Sequence, residues 1–180
     1  MRFVLSLFLF VSQLSFAETA KLVQVKSLPI KESILPGYNF DADQAFQILT
    51  GPLKNKYLFF ASRELGSVDD SKLPRFIISD YSKFVDSIQI PDLVEGTNLV
   101  SVIAVSSVQP KSKIYSLRIL AVLTLAPLSY RESDYWEKPY VFDVNPEGKI
   151  EPNIDLNKKM SQQKKRPKNI KEIRKFLDSL

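Results

Sequence analysis

The longest apolar reach past the N-terminus of this 180-residue chain reads LVSVIAVSSV (Leu99–Val108), QPKSK (Gln109–Lys113) and IYSLRILAVLTLA (Ile114–Ala126). Both flanks are rich in Val, Ile and Leu, and both carry apolar residues on each face. Two such runs around a five-residue polar turn predict a long β-hairpin in the middle of a sheet. Pro127 ends the second run.

Working outward, further strands are expected at Lys21–Leu28, Lys56–Ser62, Arg75–Ser79 and Tyr140–Val144. Asn145-Pro146-Glu147-Gly148 is a turn signal, and Lys149–Leu156 can return as an edge strand. Three segments carry helical spacing. Asp41 can cap a helix with Ala42, Ala45, Phe46 and Leu49 on one face. Asp80 can cap a second with Tyr81, Phe84, Val85 and Ile88. Asn169 can cap a third, where Ile170, Ile173, Phe176, Leu177 and Leu180 form a stripe. Met160–Lys168 has no apolar period and reads as a solvated linker. The fold expected is α+β: a mixed, mostly antiparallel sheet with two or three helices packed on it, one of them C-terminal and amphipathic.

The N-terminus reads as an export signal. Met1-Arg2 is a short positive region, Phe3–Val11 is apolar apart from Ser6, and Ser15-Phe16-Ala17 is a small-x-small site before Glu18. Cleavage between Ala17 and Glu18 is expected, and the apolar run is too short to span a bilayer as a helix. The organisation that follows is 1–17 signal peptide, 18–157 one globular domain, and 158–180 basic linker and amphipathic helix. With no cysteine for a disulfide framework and no Asn-x-Ser/Thr sequon, a bacterial periplasmic or secreted protein fits best.

Composition removes many chemistries. The chain has no histidine and no cysteine, so it holds no Ser-His-Asp triad, no imidazole base, no zinc finger and no dithiol redox pair. Its five glycines are isolated, and no phosphate-cradling loop occurs. Asp41-x-Asp43 opens like a calcium loop, but Phe46 and Pro52 stand where that loop needs Gly and Glu. Ser161 and Lys164 have the spacing of a Ser-Lys pair but lie in a polar, basic stretch. No cofactor and no metal are expected.

Two clusters remain. From Tyr130 to Asp143 five of fourteen positions are aromatic, with Glu132, Asp134, Glu137 and Asp143 interleaved. Tyr130, Glu132, Asp134, Tyr135, Trp136, Glu137 and Tyr140 form a candidate binding surface, since rings beside carboxylates suit sugars. Two of the carboxylates could instead serve a glycosidase acting on cell-wall or other polysaccharide. The second cluster is basic: Lys158, Lys159, Lys164, Lys165, Arg166, Lys168, Lys171, Arg174 and Lys175. Residues 158–180 hold nine basic and two acidic groups, a net +7, whereas residues 18–157 hold 15 basic and 18 acidic, a net −3. Such asymmetry marks an interaction tail for an anionic surface. Export and the lack of interleaved aromatics disfavour nucleic acid. The function expected is non-catalytic binding of an envelope protein or an anionic envelope polymer or lipid. The alternatives are the carboxylate hydrolase and a structural subunit of an envelope assembly that pairs through a sheet edge.

Overall fold

The computed structural model describes residues 20–25, 38–63, 73–80, 83–93, 97–111, 114–127 and 134–180. Nine strands and two helices follow in order: β1 (Leu22–Gln24), β2 (Tyr38–Ile48), β3 (Tyr57–Arg63), β4 (Arg75–Ser79), β5 (Phe84–Gln89), β6 (Thr97–Val108), β7 (Leu117–Pro127), β8 (Trp136–Val144), β9 (Ile150–Pro152), α1 (Ile154–Ser161) and α2 (Ile170–Asp178). They form two antiparallel meanders, β1-β2-β3-β4-β5 and β6-β7-β8-β9. The α+β class holds in its coarse form. There are two sheets where one was expected, and both helices lie at the C-terminus.

The sheets face each other. Leu58, Phe60, Phe76 and Ile78 of the first meet Leu117, Ile119, Leu123, Tyr140 and Phe142 of the second in one buried core. Aromatic rings join them: Phe76 lies 4.7 Å from Phe142 and 4.8 Å from Phe60, centroid to centroid. The predicted hairpin forms, with Leu99 opposite Leu125 and Val108 opposite Arg118, but it does not lie mid-sheet: β7 is interior and β6 is an edge strand of the second sheet. The hairpin's second strand is apolar on both faces because both faces are covered. Leu117, Ile119, Ala121 and Leu123 point into the inter-sheet core, while Leu120 and Val122 meet Val141, Met160 and Ile173 beneath the helices.

Two expected helices are strands. Residues 41–48 belong to β2, which pairs with β1 and β3, and residues 84–88 belong to β5. Bulges explain the misleading spacing. In β5, Ser79 opposes Phe84 and Ile78 opposes Asp86, so Val85 is the extra residue. Val85 and Ile88 therefore both pack on the core, three apart, which is the spacing of a helical face. In β2 the register jumps between Phe40 and Ala45. Beyond the jump Ala45 packs on the outer face and Phe46 and Ile48 on the inner, so alternation is lost because both faces are filled. Asp80, expected as a helix cap, instead accepts Lys56 Nζ at 3.2 Å, and its N–H donates to Lys83 O at 2.8 Å.

The linker reading of Met160–Lys168 also changes. Lys149–Leu156 returns as an edge only through Pro152, and α1 follows and carries Met160 into the buried layer under the helices. The Asn145–Gly148 turn stands as expected. Gly148 has φ +91°, a region that favours glycine, and a Cβ there would lie 2.9 Å from Val85 Cγ1.

Candidate anion-binding groove

The two helices are held by sequence-coded caps. Asn153 Oδ1 accepts Leu156 N–H at 3.0 Å to start α1. Asn169 Oδ1 accepts Glu172 N–H at 2.9 Å to start α2, as its position predicted. The Glu172 carboxylate in turn accepts Lys168 N–H at 2.9 Å, and that backbone bond holds it below the usual carboxylate range. The α2 stripe is spent on the domain. Ile173 is fully buried against Leu120, Val122, Val141 and Met160, with Ile170, Phe176 and Leu177 packed around it. Arg174 pins the helix to β6, donating to Ser106 Oγ at 2.7 Å and to Ser107 O at 3.3 Å.

Where α1, α2 and the turn end of the β6–β7 hairpin meet, they enclose a groove of about 500 Å³. Its cations come from four elements: Lys111 past the end of β6, Arg118 on β7, Lys159 on α1 and Arg174 on α2. Its apolar lining is Val108, Leu156, Leu177 and Leu180, and Asp178 is its one lining carboxylate side chain among the described residues. Arg118 is already committed. It clasps Asp143 through Nε at 2.7 Å and a terminal nitrogen at 3.0 Å, while Asn153 Nδ2 donates to the same carboxylate at 2.7 Å. Lys111, Lys159 and Arg174 make no ion pair with a carboxylate among the described residues. Three cations free of ion pairs, against the one carboxylate side chain Asp178, leave the groove a positive excess that can hold an anion. The groove offers no imidazole, thiol or paired acid for catalysis.

Of the nine basic residues singled out in the tail, Lys159 and Arg174 line this groove. Lys165 and Lys175 line a second depression beside Pro167 and Phe176. Lys158, Lys164, Arg166, Lys168 and Lys171 are exposed on the same C-terminal segment. Lys111 and Arg118 were missed. They lie far from the tail in sequence, and only the hairpin's placement beneath α2 brings them to it.

The described members of the aromatic and acidic cluster do not assemble as one surface. Tyr130 and Glu132 lie outside the described residues, as do Ala17 and Glu18. Asp134 is exposed just before β8, and Tyr135 is half-buried beside it. Along β8 side chains alternate. Trp136, Lys138 and Tyr140 share the inner face, opposite Leu125, Leu123 and Ala121, while Glu137 stands on the helix face opposite Thr124. Trp136 remains 36% exposed at the strand's start, whereas Tyr140 is in the core, which removes it from any binding surface. Its ring lies 5.1 Å beneath Lys138 Nζ. Burial pushes the Tyr140 phenol well above its ordinary pKa and draws the Lys138 ammonium below its own. Asp143, the fourth acid of the cluster, is buried in the Arg118 pair. Among the described residues, no group of three or more acids could hold a metal ion. No helix there is long and apolar enough to cross a membrane.

No family model, no curated protein and no solved structure matches this chain.

Proposed function

We propose that this is an exported, non-catalytic binding protein of the bacterial envelope that engages an anionic partner through its C-terminal basic face. One observation carries the reading. The apolar stripe of α2 is consumed by docking on β7 and β8, yet the cations of the same segment stay exposed, Lys159 and Arg174 of them in the groove. Here the docking holds the +7 segment in a defined place on a body of net −3. Long-range attraction of this kind raises encounter rates with anionic surfaces and fades beyond a Debye length of about 8–10 Å.

The carboxylate-hydrolase alternative draws less support. Glu137 and Trp136 project to opposite faces of β8, and Asp143 is tied to Arg118. A structural subunit would need a long open strand edge. The outer edge of β6 is bulged twice, near Val100 and Ile103, which disfavours strand addition there.

The test is co-sedimentation with phosphatidylglycerol vesicles at low and high salt. Cutting the chain at Asn157 would confound it, because Met160 and Ile173 leave the core with the tail. Charge reversal at exposed positions avoids this. Replacing Lys164, Lys165, Lys168 and Lys171 by Glu should abolish binding at low salt without lowering the melting temperature. Each basic residue near an anionic bilayer contributes about 1 kcal/mol. Binding that survives this variant, or that ignores salt, would overturn the reading.

A further inference from the structure

We infer that the groove between α1, α2 and the β6–β7 hairpin is a seat for one anionic amphiphile: a phosphate or carboxylate head among Lys111, Lys159 and Arg174, and an alkyl chain along Val108, Leu156 and Leu177. This deepens the reading above and rests on it.

The observations are local to the groove. Its lining holds three cations that make no ion pair among the described residues, supplied by the hairpin and both helices, against one carboxylate side chain, Asp178. Arg174 is held by Ser106 and Ser107 O, so a planar donor group is fixed at the mouth before any ligand arrives. Lys111 and Lys159 are exposed lining residues on long side chains that can reach an anion in the groove. The same lining includes aliphatic Val108, Leu156, Leu177 and Leu180, the last 57% exposed. A volume of about 500 Å³ lies within the range of small-molecule sites. A bare phosphate would leave the aliphatic wall wet, and an uncharged chain would leave the cations unsatisfied. Only a ligand with both ends uses the whole groove, each buried methylene adding to the affinity of the charged contact.

The probe is decyl phosphate, kept monomeric and titrated calorimetrically into the full-length protein. Inorganic phosphate and decyl maltoside serve as head-only and chain-only controls. We expect saturable one-to-one binding of decyl phosphate, with inorganic phosphate at least about tenfold weaker and no heat from the maltoside. Two charge-matched double variants separate this groove from general tail electrostatics. Lys111→Glu with Lys159→Glu should weaken decyl phosphate at least about tenfold, since charge-assisted bonds are lost and an anion is repelled. Lys164→Glu with Lys168→Glu removes as much positive charge outside the groove and should leave it unchanged. Equal weakening by both pairs, equal affinity for phosphate and decyl phosphate, or no saturable binding would each overturn the inference. Vesicle sedimentation is scored on the same proteins. Loss of vesicle binding by the Lys164/Lys168 pair with decyl phosphate binding retained supports both readings. Saturable, groove-dependent decyl phosphate binding by a protein that ignores vesicles overturns the anionic-surface reading alone.

Discussion

The side-chain amide of Asn157 on α1 bonds to both backbone polar groups of Val141 on β8. Val141 N–H donates to Asn157 Oδ1 at 2.7 Å, and Asn157 Nδ2 donates to Val141 O at 3.1 Å. The strand edge needs this. β9 covers β8 only from Phe142 to Val144, so Val141 lies one residue beyond the end of the ladder. Asn153 N–H still donates to Val141 O at 3.0 Å, but the Val141 N–H has Asn157 as its partner, and that bond ties the helix layer to the sheet. Replacing Asn157 by Ala leaves a buried donor without its partner and should cost about 1–3 kcal/mol. Urea unfolding measures this, with Lys158→Ala as a control expected to stay within about 0.5 kcal/mol.

Leu123 and Ile173 lie on opposite faces of the same sheet, one in the inter-sheet core and one under the helices. Each truncation to Ala should cost about 2–5 kcal/mol. Because the two sites share no cluster, the double variant should be additive to within about 0.5 kcal/mol. Strong non-additivity in denaturant melts would show that the two layers are not separate packing units.

Asp143 is 3% exposed and accepts from Arg118 and Asn153. Asp143→Ala strands a largely buried guanidinium and should cost about 3 kcal/mol, the lower end for a broken buried pair because Arg118 keeps some solvent. Replacing both partners, Arg118→Met with Asp143→Leu, should recover most of that loss. A double variant no more stable than Asp143→Ala would show that the pair itself, not the orphaned charge, accounts for the cost.

Tyr140 should make the fold alkali-sensitive. Burial raises its phenol pKa in the folded state above the ordinary value of 10.0. The protein therefore keeps the full benefit of the neutral ring below pH 10. Above it the unfolded chain ionises first, so stability falls as pH rises, by up to about 1.4 kcal/mol per unit. Lys138, drawn down by burial, has the opposite sign, and Tyr115, raised chiefly by its bond to Glu151, has the same sign as Tyr140. Comparing the protein with Tyr140→Phe isolates Tyr140, since the other two are retained. Urea midpoints at pH 9, 10 and 11 should fall more steeply with Tyr than with Phe.

Export is open to direct chemistry. N-terminal sequencing of the protein from a periplasmic or culture fraction should begin at Glu18. An intact Met1 in a membrane pellet would count against cleavage at Ala17.

The β6–β7 hairpin and α2 were legible in sequence, each for a local reason; that β6 would be an edge was not. Leu99–Val108 and Ile114–Ala126 carry more β-branched and aliphatic residues than a half-exposed element needs, and Asn169 caps a stripe whose period is unbroken. Helix α1 was not legible. Ile154 is 69% exposed, so its apolar content is thin, and its place depends on Asn157 and Met160 meeting β8 and β7. Tyr140 looked like a surface aromatic because of the acids beside it in sequence. Strand alternation turns Glu137 and Tyr140 to opposite faces of the sheet.

By itself the sequence determined the charge asymmetry, the absence of His and Cys chemistry, and two runs apolar enough to pair as a long hairpin. Those are properties of composition and of neighbours along the chain. The groove was decided only by tertiary structure. Lys111, Arg118, Lys159 and Arg174 sit on four different elements, and Arg118 would be a free cation there but for Asp143 across the ladder. The bulges at Val85 and near Ala45 belong to the same class. A bulge is set by what the partner strand can match, and no periodicity within one strand records the register of its neighbour.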